Sequence, residues 1–405
     1  MYPRTAIRFF LAFALIAVVF VGGIRARDLE PAPTEALPGL ENVRAFAPAW
    51  TPGGVQYAVD GGRLVVDRGE GWRPLDLPEG VIANAVLSDP WDLQTVYVGA
   101  ANELAVYVSR DGGLRWLRVP LASEEAGMVT DLAVDRASRL LYVATDTAGL
   151  FRLRDVGSSL IASGHLILDE PVLQVVADPQ GSGVAYIRTP WRLYRAEAFG
   201  LRWVQVAGIP GPTTALALAP GAESTLYVGT ANDGVWASSD GRRWRPIHTG
   251  LVPGAGARVR VNALAVDPAQ PQVLYASTSL LFGTARVRPA HVGVAMSTDA
   301  GRTWQELAPV TDAAVVELYP VAGRTGAVYA VTEFRREPLA LGTAPPLRAA
   351  TASVPLPAGR GLSWDMGLAW FLGGLAGATL LALLGLDLWE RRHRVGPQRT
   401  RRRST

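Results

Sequence analysis

The chain of 405 residues contains no cysteine, and none of its 39 basic residues is a lysine. Without cysteine there are no disulfides, no thiolate metal sites and no cysteine nucleophiles, so an exported fold must be held by its core alone. The all-arginine basic set fits a GC-rich genome rather than selection for guanidinium chemistry. Histidine is scarce too: His165, His248, His291 and His393 have no metal-ligand spacing. No Ser-His-Asp set and no phosphate-binding loop is present. Neither a metal nor a cofactor is expected. Charged residues make up only 19% of the chain against 49% hydrophobic, which implies a sizeable core, a membrane contribution or both.

The sequence pI of 9.3 invites a nucleic-acid reading, but the charge sits at the ends. The last sixteen residues, "ERRHRVGPQRTRRRST", hold seven arginines and one glutamate, and Arg4 and Arg8 precede the first apolar run. Since the net charge is only +3, the long stretch between is mildly acidic. An acidic body with basic ends is a membrane pattern, not a DNA-binding one.

Two hydrophobic segments agree. Gly367 to Leu386 is twenty residues without a charge, about 30 Å as a helix and so the thickness of a bilayer core. Trp364, Trp370 and Trp389 flank it as interfacial anchors, and the arginines that follow place the C-terminus in the cytoplasm. Phe9 to Ile24 is shorter and fits a signal peptide or a signal-anchor. The expected organisation is a signal or anchor over 1–25 and a Pro-rich linker over 26–43. An exported body over 44–355 follows, then a linker over 356–365, a transmembrane helix over 366–388 and a cytoplasmic tail over 389–405. This places the protein in the cytoplasmic membrane of a bacterium, with the body outside.

That body repeats. Short apolar runs are centred on Tyr57, Tyr97, Tyr142, Tyr186, Tyr227, Tyr275 and Tyr329, at intervals of 40, 45, 44, 41, 48 and 54 residues. Pro, Gly and Asp break the runs every eight to twelve residues or so, as strands and tight turns require. A period in the forties with four strands per unit is that of a propeller blade, so seven tyrosines predict an all-β, seven-bladed β-propeller. The seventh unit is degenerate: Pro345 and Pro346 stand where its hairpin belongs. Its blade is completed either there or by a strand from before Val43.

A second signal recurs within the units. "STDAGRTW" carries Asp299, Gly301 and Trp304, and "SRDGGLRW" carries Asp111, Gly113 and Trp116. Looser copies hold Asp67 with Trp72, Asp155 with Leu160 in the tryptophan slot, and Asp240 with Trp244. Another keeps Gly200 and Trp203 but has Ala198 in place of the aspartate. An active site is rarely copied six times along one chain; a structural unit is. One carboxylate per turn also falls far short of the roughly 6–8 oxygens that calcium takes. The pattern resembles the Asp-box of bacterial neuraminidase repeats. That resemblance implies a box in the hairpin between the third and fourth strands of each blade. Propellers with such repeats include sialidases and other glycosidases, sortilin-type receptors, and photosystem II stability/assembly factors.

Catalytic chemistry is hard to find. The nearest string to a sialidase arginine motif is "YIRTP", Tyr186 to Pro190, which occupies a repeat-tyrosine slot. Glycosidases need two carboxylates across a cleft. Asp89, Asp178 and Asp267 instead share one turn position, and Glu124–Glu125 lies in a loop. Departures from the repeat are better candidates for binding. Unit six carries the insertion "LLFGTARVRPAH", and unit five ends in "VPGAGARVRV". Arg258, Arg260, Arg286 and Arg288 are therefore expected to form a basic patch for a carboxylate-rich protein partner. Trp91 and Trp191 are candidates for exposed aromatics. The sequence is best read as a membrane-anchored, non-catalytic binding or scaffold protein serving assembly or stabilisation of a membrane complex. The alternative is a cell-surface glycoside hydrolase or carbohydrate-binding propeller.

Overall fold

The computed structural model describes residues 40–344, apart from 179, 222–223, 252–257, 284–286, 311 and 334–337. The chain divides into units at 351/352. The second unit, the segments Phe9 to Ile24 and Gly367 to Leu386, and the arginine-rich tail all lie outside the described residues. Among the described residues no helix is long and apolar enough to cross a membrane.

All regular structure in the described body is strand, arranged as seven antiparallel sheets spanning 43–74, 83–120, 129–166, 174–205, 213–246, 258–308 and 315–342. Each sheet is a meander of consecutive strands, four in blades 1 to 6 and three in the described part of blade 7. The segments expected to complete blade 7 lie outside the described residues. From blade 1 to blade 7 the first strand of each blade packs on the first strand of the next, forming an inner ring. Blade 7 meets blade 1 through one apolar cluster, in which Phe46 lies 4.9 Å from Tyr319 and 5.6 Å from Tyr329, centroid to centroid. Leu40 and Val43, at the end of the expected linker, are already buried in that cluster. Together the sheets form a closed seven-bladed β-propeller, as the tyrosine period predicts.

The repeat residues account for the closure. All seven tyrosines are buried on second strands, and the hydroxyl of Tyr275 accepts the Gly326 N–H of the next blade at 2.9 Å. Asp89, Asp178 and Asp267 are fully buried where first strands turn into second. Each accepts backbone N–H groups just ahead of it, as at 2.9 Å from Trp91, Gln180 and Ala269. These are turn-closing carboxylates, which removes them from any catalytic reading. Glycine permits blade contact: a Cβ at Gly99 would stand 2.3 Å from Val129 Cγ1 of the next blade.

The boxes lie between third and fourth strands. Ser297 donates to Asp299 at 2.8 Å and accepts the Gly301 N–H at 2.9 Å, while Asp299 accepts from Thr303 N at 2.9 Å. These bonds hold the Asp299 carboxyl down to about 2. Asp111 and Asp240 repeat the arrangement with their own serines, and Asp67 accepts from Gly69 and Gly71. Gly301 has φ +82°, and a Cβ there would lie 2.4 Å from Ile247 of the preceding blade. The Trp304 indole donates back to Ile247 O at 2.6 Å, and Trp116 to Asp76 O at 2.9 Å. The indole N–H groups of Trp72 and Trp244 have no partner among the described residues. Apolar contact alone holds those two rings. In blade 4, where Ala198 replaces the aspartate, Ala198 and Phe199 both take positive φ to make the turn.

Candidate functional site at the channel mouth

Because strands alternate in direction, first-to-second turns and boxes share one face of the ring. Second-to-third turns and the connections between blades share the other. This connection face carries the irregular features.

Its core is a ring of polar residues where the first strands begin. In six of seven blades the pairing of first and second strands slips by one residue here, at Arg44, Asn84, Thr130, Thr214, Asn262 and Val316. Such bulges turn a side chain out of the ladder. Asn84 donates to Val129 O at 2.8 Å, Thr130 to Val172 O at 2.6 Å and Thr214 to Val261 O at 2.6 Å, each reaching the next blade. Gln174 bonds both backbone groups of Leu216 at 3.0 Å, and Asp131 accepts the Val175 N–H at 2.9 Å. A belt of side-chain to backbone bonds thus ties blades 2 to 6 together around the channel.

One layer of this ring is chemically uneven. The cross-strand pairs are Ala45–Val59, Ala85–Gly99, Ala215–Gly229 and Ala263–Ser277 in blades 1, 2, 5 and 6. Blades 3, 4 and 7 carry Asp131–Ala144, Gln174–Arg188 and Glu317–Val331 instead. Burial pushes the Asp131 carboxyl up to about 7. The Val175 and Leu132 N–H groups and the Arg188 charge oppose that rise, and Glu317 adds to it. Burial likewise brings Arg188 down to about 10, with Asp131 opposing and Arg260 contributing. The Nε of Arg188 is buried and has no hydrogen-bond partner among the described residues.

Blade 6 rises beside this mouth. Its first three strands, Arg258–Val266, Leu274–Phe282 and Arg288–Ser297, have nine, nine and ten residues. The surplus extends on the connection face, so the insertion read from the sequence is a projecting three-stranded ribbon. Arg258 is half-buried and donates to Gly283 O at 2.6 Å, while Arg260 and Arg288 are exposed. Arg258 and Arg260 pair with Leu281 and Ser279, whereas Arg288 pairs with Phe282. Successive residues of a strand point to opposite faces, so Arg288 leaves the ribbon on the other side from Arg258 and Arg260. Arg286 lies outside the described residues. The structure thus brings Arg258 and Arg260 together and separates Arg288 from them. Trp191 is 78% exposed on this face and Phe282 56%; Trp91, 59% exposed, belongs to the box face.

Sequence reasoning missed Asp131, Gln174, Arg188 and Glu317. The signal lay two residues after the repeat tyrosine, where Arg188 stands against Val59, Gly99, Ala144, Gly229, Ser277 and Val331. Of the string "YIRTP", Tyr186 is a buried repeat tyrosine, while Arg188 belongs to the channel mouth. No cluster of three metal-ligating side chains occurs among the described residues. His291 bonds Ser279 at 2.9 Å, and His165 stacks on Phe151 at 4.0 Å.

No family model and no curated protein matches the sequence. Solved structures do match in fold. A GH74 xyloglucanase from Xanthomonas campestris superposes with a TM-score of 0.54 at 22% identity, covering 73% of this chain and 51% of the enzyme. This chain therefore spans about half the length of that enzyme. YCF48 bound to D1 peptide superposes with a TM-score of 0.51 at 14% identity, covering 76% of this chain and 94% of YCF48. U3-55K gives 0.53 at 11% identity, with 76% and 97% covered. The chain is a seven-bladed β-propeller, of a fold shared by glycoside hydrolases and by proteins of other kinds; at these identities the likeness concerns the fold alone.

Proposed function

We propose that this is a membrane-anchored, exported propeller that binds a protein partner through its connection face and performs no chemistry of its own. Gly367 to Leu386 anchors it, Phe9 to Ile24 is a second anchor or a signal peptide, and the role is assembly or stabilisation of a membrane complex. The carrying observation is the blade 6 ribbon, which sets Arg258 and Arg260 beside the channel mouth on a face that also exposes Phe282 and Trp191. Arginine and aromatic side chains are the usual anchors of protein interfaces. YCF48, whose full length this propeller nearly spans, is a peptide-bound precedent for the fold.

Replacing Arg258, Arg260, Arg286 and Arg288 together with serine is expected to weaken capture of the partner from native membranes by about tenfold or more. The melting temperature should stay nearly unchanged, because the described members of the set are exposed or half-buried. Wild-type capture should also fall as salt rises. Capture indifferent to both the substitutions and salt would remove this face from the reading. For topology, protease added to intact spheroplasts should digest the propeller and spare the C-terminal tail. A protected propeller would contradict export.

The glycoside hydrolase or carbohydrate-binding alternative has one observation in its favour, since Asp131 and Glu317 both border the channel and interact electrostatically. However, Asp131 accepts backbone N–H groups from Leu132 and Val175 on its two oxygens, which marks a structural carboxylate. The non-catalytic reading is accordingly preferred.

A further inference from the structure

Ring closure leaves the fourth strand of a blade unpaired on its outer side, and such an edge is a template for another chain unless something blunts it. In five blades something does. The fourth strands Trp72–Pro74, Leu117–Pro120, Arg202–Gln205, Arg245–Pro246 and Gln305–Ala308 have two to four residues, and each carries an arginine or a glutamate. Three of them end in proline, which cannot donate to a ladder. Blade 3 differs. Its fourth strand, Leu160–Leu166, has seven residues, "LIASGHL", with no arginine, carboxylate or proline. Ile161 on it is 54% exposed, and Ile167 just beyond it is 78% exposed. The nearby guanidinium of Arg152 is already engaged, by Phe199 O of blade 4 at 2.7 Å and by the Ser163 hydroxyl at 2.8 Å.

We propose that this edge pairs with the same edge of a second copy of the chain, antiparallel about a two-fold axis at Ser163. In that register Leu160 meets Leu166 of the second copy, Ile161 meets His165 and Ala162 meets Gly164, each pair occurring twice. Large side chains meet at the ends and small ones beside the axis. No like charges face each other, and each histidine faces an isoleucine. Self-pairing of any other described fourth strand would instead set two arginines or two glutamates within one short ladder, where like charges are destabilising. Ser163 is the bulged residue, at which pairing with the third strand slips between Arg152 and Leu153. A bulge on the axis divides the new ladder into two equivalent halves, 160–162 against 164–166. Ile161 of the second copy arrives beside His165 and Leu166, which with Leu201 and Trp203 line a recess between blades 3 and 4. Leu201 is 66% exposed and would be covered with it. The contact uses the same patch on both copies, as a two-fold dimer requires.

The test is sedimentation velocity of the full chain in detergent over a range of concentrations. The wild type should be a dimer that dissociates on dilution. Each residue acts twice in such a contact, so Ile161→Lys should weaken the association by about tenfold or more. Because Ile161 is half exposed in the single chain, the variant should stay folded. Its melting temperature should also lose the dependence on protein concentration that a dimer shows. The absence of cysteine permits a check of register. In Ala162→Cys the two thiols lie diagonally across the axis, about 7–8 Å apart, so a short bis-maleimide should link two chains. Leu114→Cys, 80% exposed on blade 2, should not link. A monomeric wild type, a dimer unchanged by Ile161→Lys, or linking of Ala162→Cys no greater than that of Leu114→Cys would overturn the pairing. Capture of a different protein by a monomeric wild type, lost in Ile161→Lys, would assign the edge to another chain and refute the second copy. The four arginine-to-serine changes on the connection face should leave the dimer intact, so this inference and the proposed function fail separately.

Discussion

Replacing Asp155 with alanine is expected to cost about 3–5 kcal/mol of stability, the range seen when one partner of a buried ion pair is removed. Asp155 is the box aspartate of blade 3 and is 5% exposed. Its first oxygen closes the turn by accepting Gly157 N–H at 2.8 Å. Its second stands 2.8 Å from Arg110 of blade 2 and 3.5 Å from Arg136, and accepts the Tyr97 hydroxyl at 3.4 Å. The Arg110 contact is an ion pair by distance but lacks hydrogen-bond alignment. Arg136 continues the network to Asp89, fully buried, at 3.1 Å. Arg110 also lies 5.7 Å from the Tyr97 ring centroid, over its face. Alanine would strand the partly buried Arg110 guanidinium and leave Arg136 with Asp89 alone, whereas asparagine keeps a turn acceptor and loses only the charge. Urea unfolding should therefore rank the wild type above Asp155→Asn and Asp155→Ala last. Asp299→Ala, which removes a half-buried turn acceptor with no arginine at stake, should be milder. An Asp155→Ala no less stable than Asp299→Ala would refute the hub.

This network explains how far the sequence could be read. The seven tyrosines and the boxes were legible because each records a local demand, a buried second strand or a hairpin with its own acceptor, repeated at a fixed period. Asp155 could be recognised as a box residue from "LRDVGSSL", but its arginine partners come from Arg110 in another repeat and Arg136 across the blade. No spacing along the chain announces such contacts. The blade 6 insertion was visible as extra length, yet the separation of Arg288 from Arg258 and Arg260 follows from strand register, which "ARVR" written twice conceals. Arg188 was hidden differently. Its string resembles an enzyme motif, and only alignment with the other six repeats exposes a large cation in a slot that otherwise holds Val, Gly, Ala or Ser.

Asp131→Asn is expected to stabilise the fold at pH 8 and to have little such effect near pH 4. The carboxyl lies half-buried at the channel, with Glu317 and Arg188 as the charges that bear on it. Burial, the largest cause, lifts it to about 7 in the folded protein, against about 3.9 for an unfolded aspartate. The folded state therefore holds the proton more tightly than the unfolded state does. Stability from this group is full below about pH 4, falls as pH rises from about 4 to 7, and is lost above about 7. A shift of about three units has a ceiling of about 4 kcal/mol, and water in the channel should reduce the measured difference to about 1–2 kcal/mol. The amide oxygen of the introduced asparagine can still accept the Val175 N–H, so the tie between blades 3 and 4 survives while the titration disappears. Its amide nitrogen cannot accept the Leu132 N–H, a pH-independent cost that offsets the difference curve without changing its slope. The box aspartates have the opposite sign: Asp299, Asp240 and Asp111 are held below their usual range by turn N–H groups. Their contribution is lost only as pH falls through the lower values, outside the Asp131 window. Melting temperatures of the wild type and Asp131→Asn between pH 4 and 8 separate the two classes, because the difference curve isolates this one carboxyl. That curve should rise towards pH 8 and flatten above 7; a flat difference throughout, or one that rises towards acid, would show that the buried carboxylate is not penalised as its surroundings require.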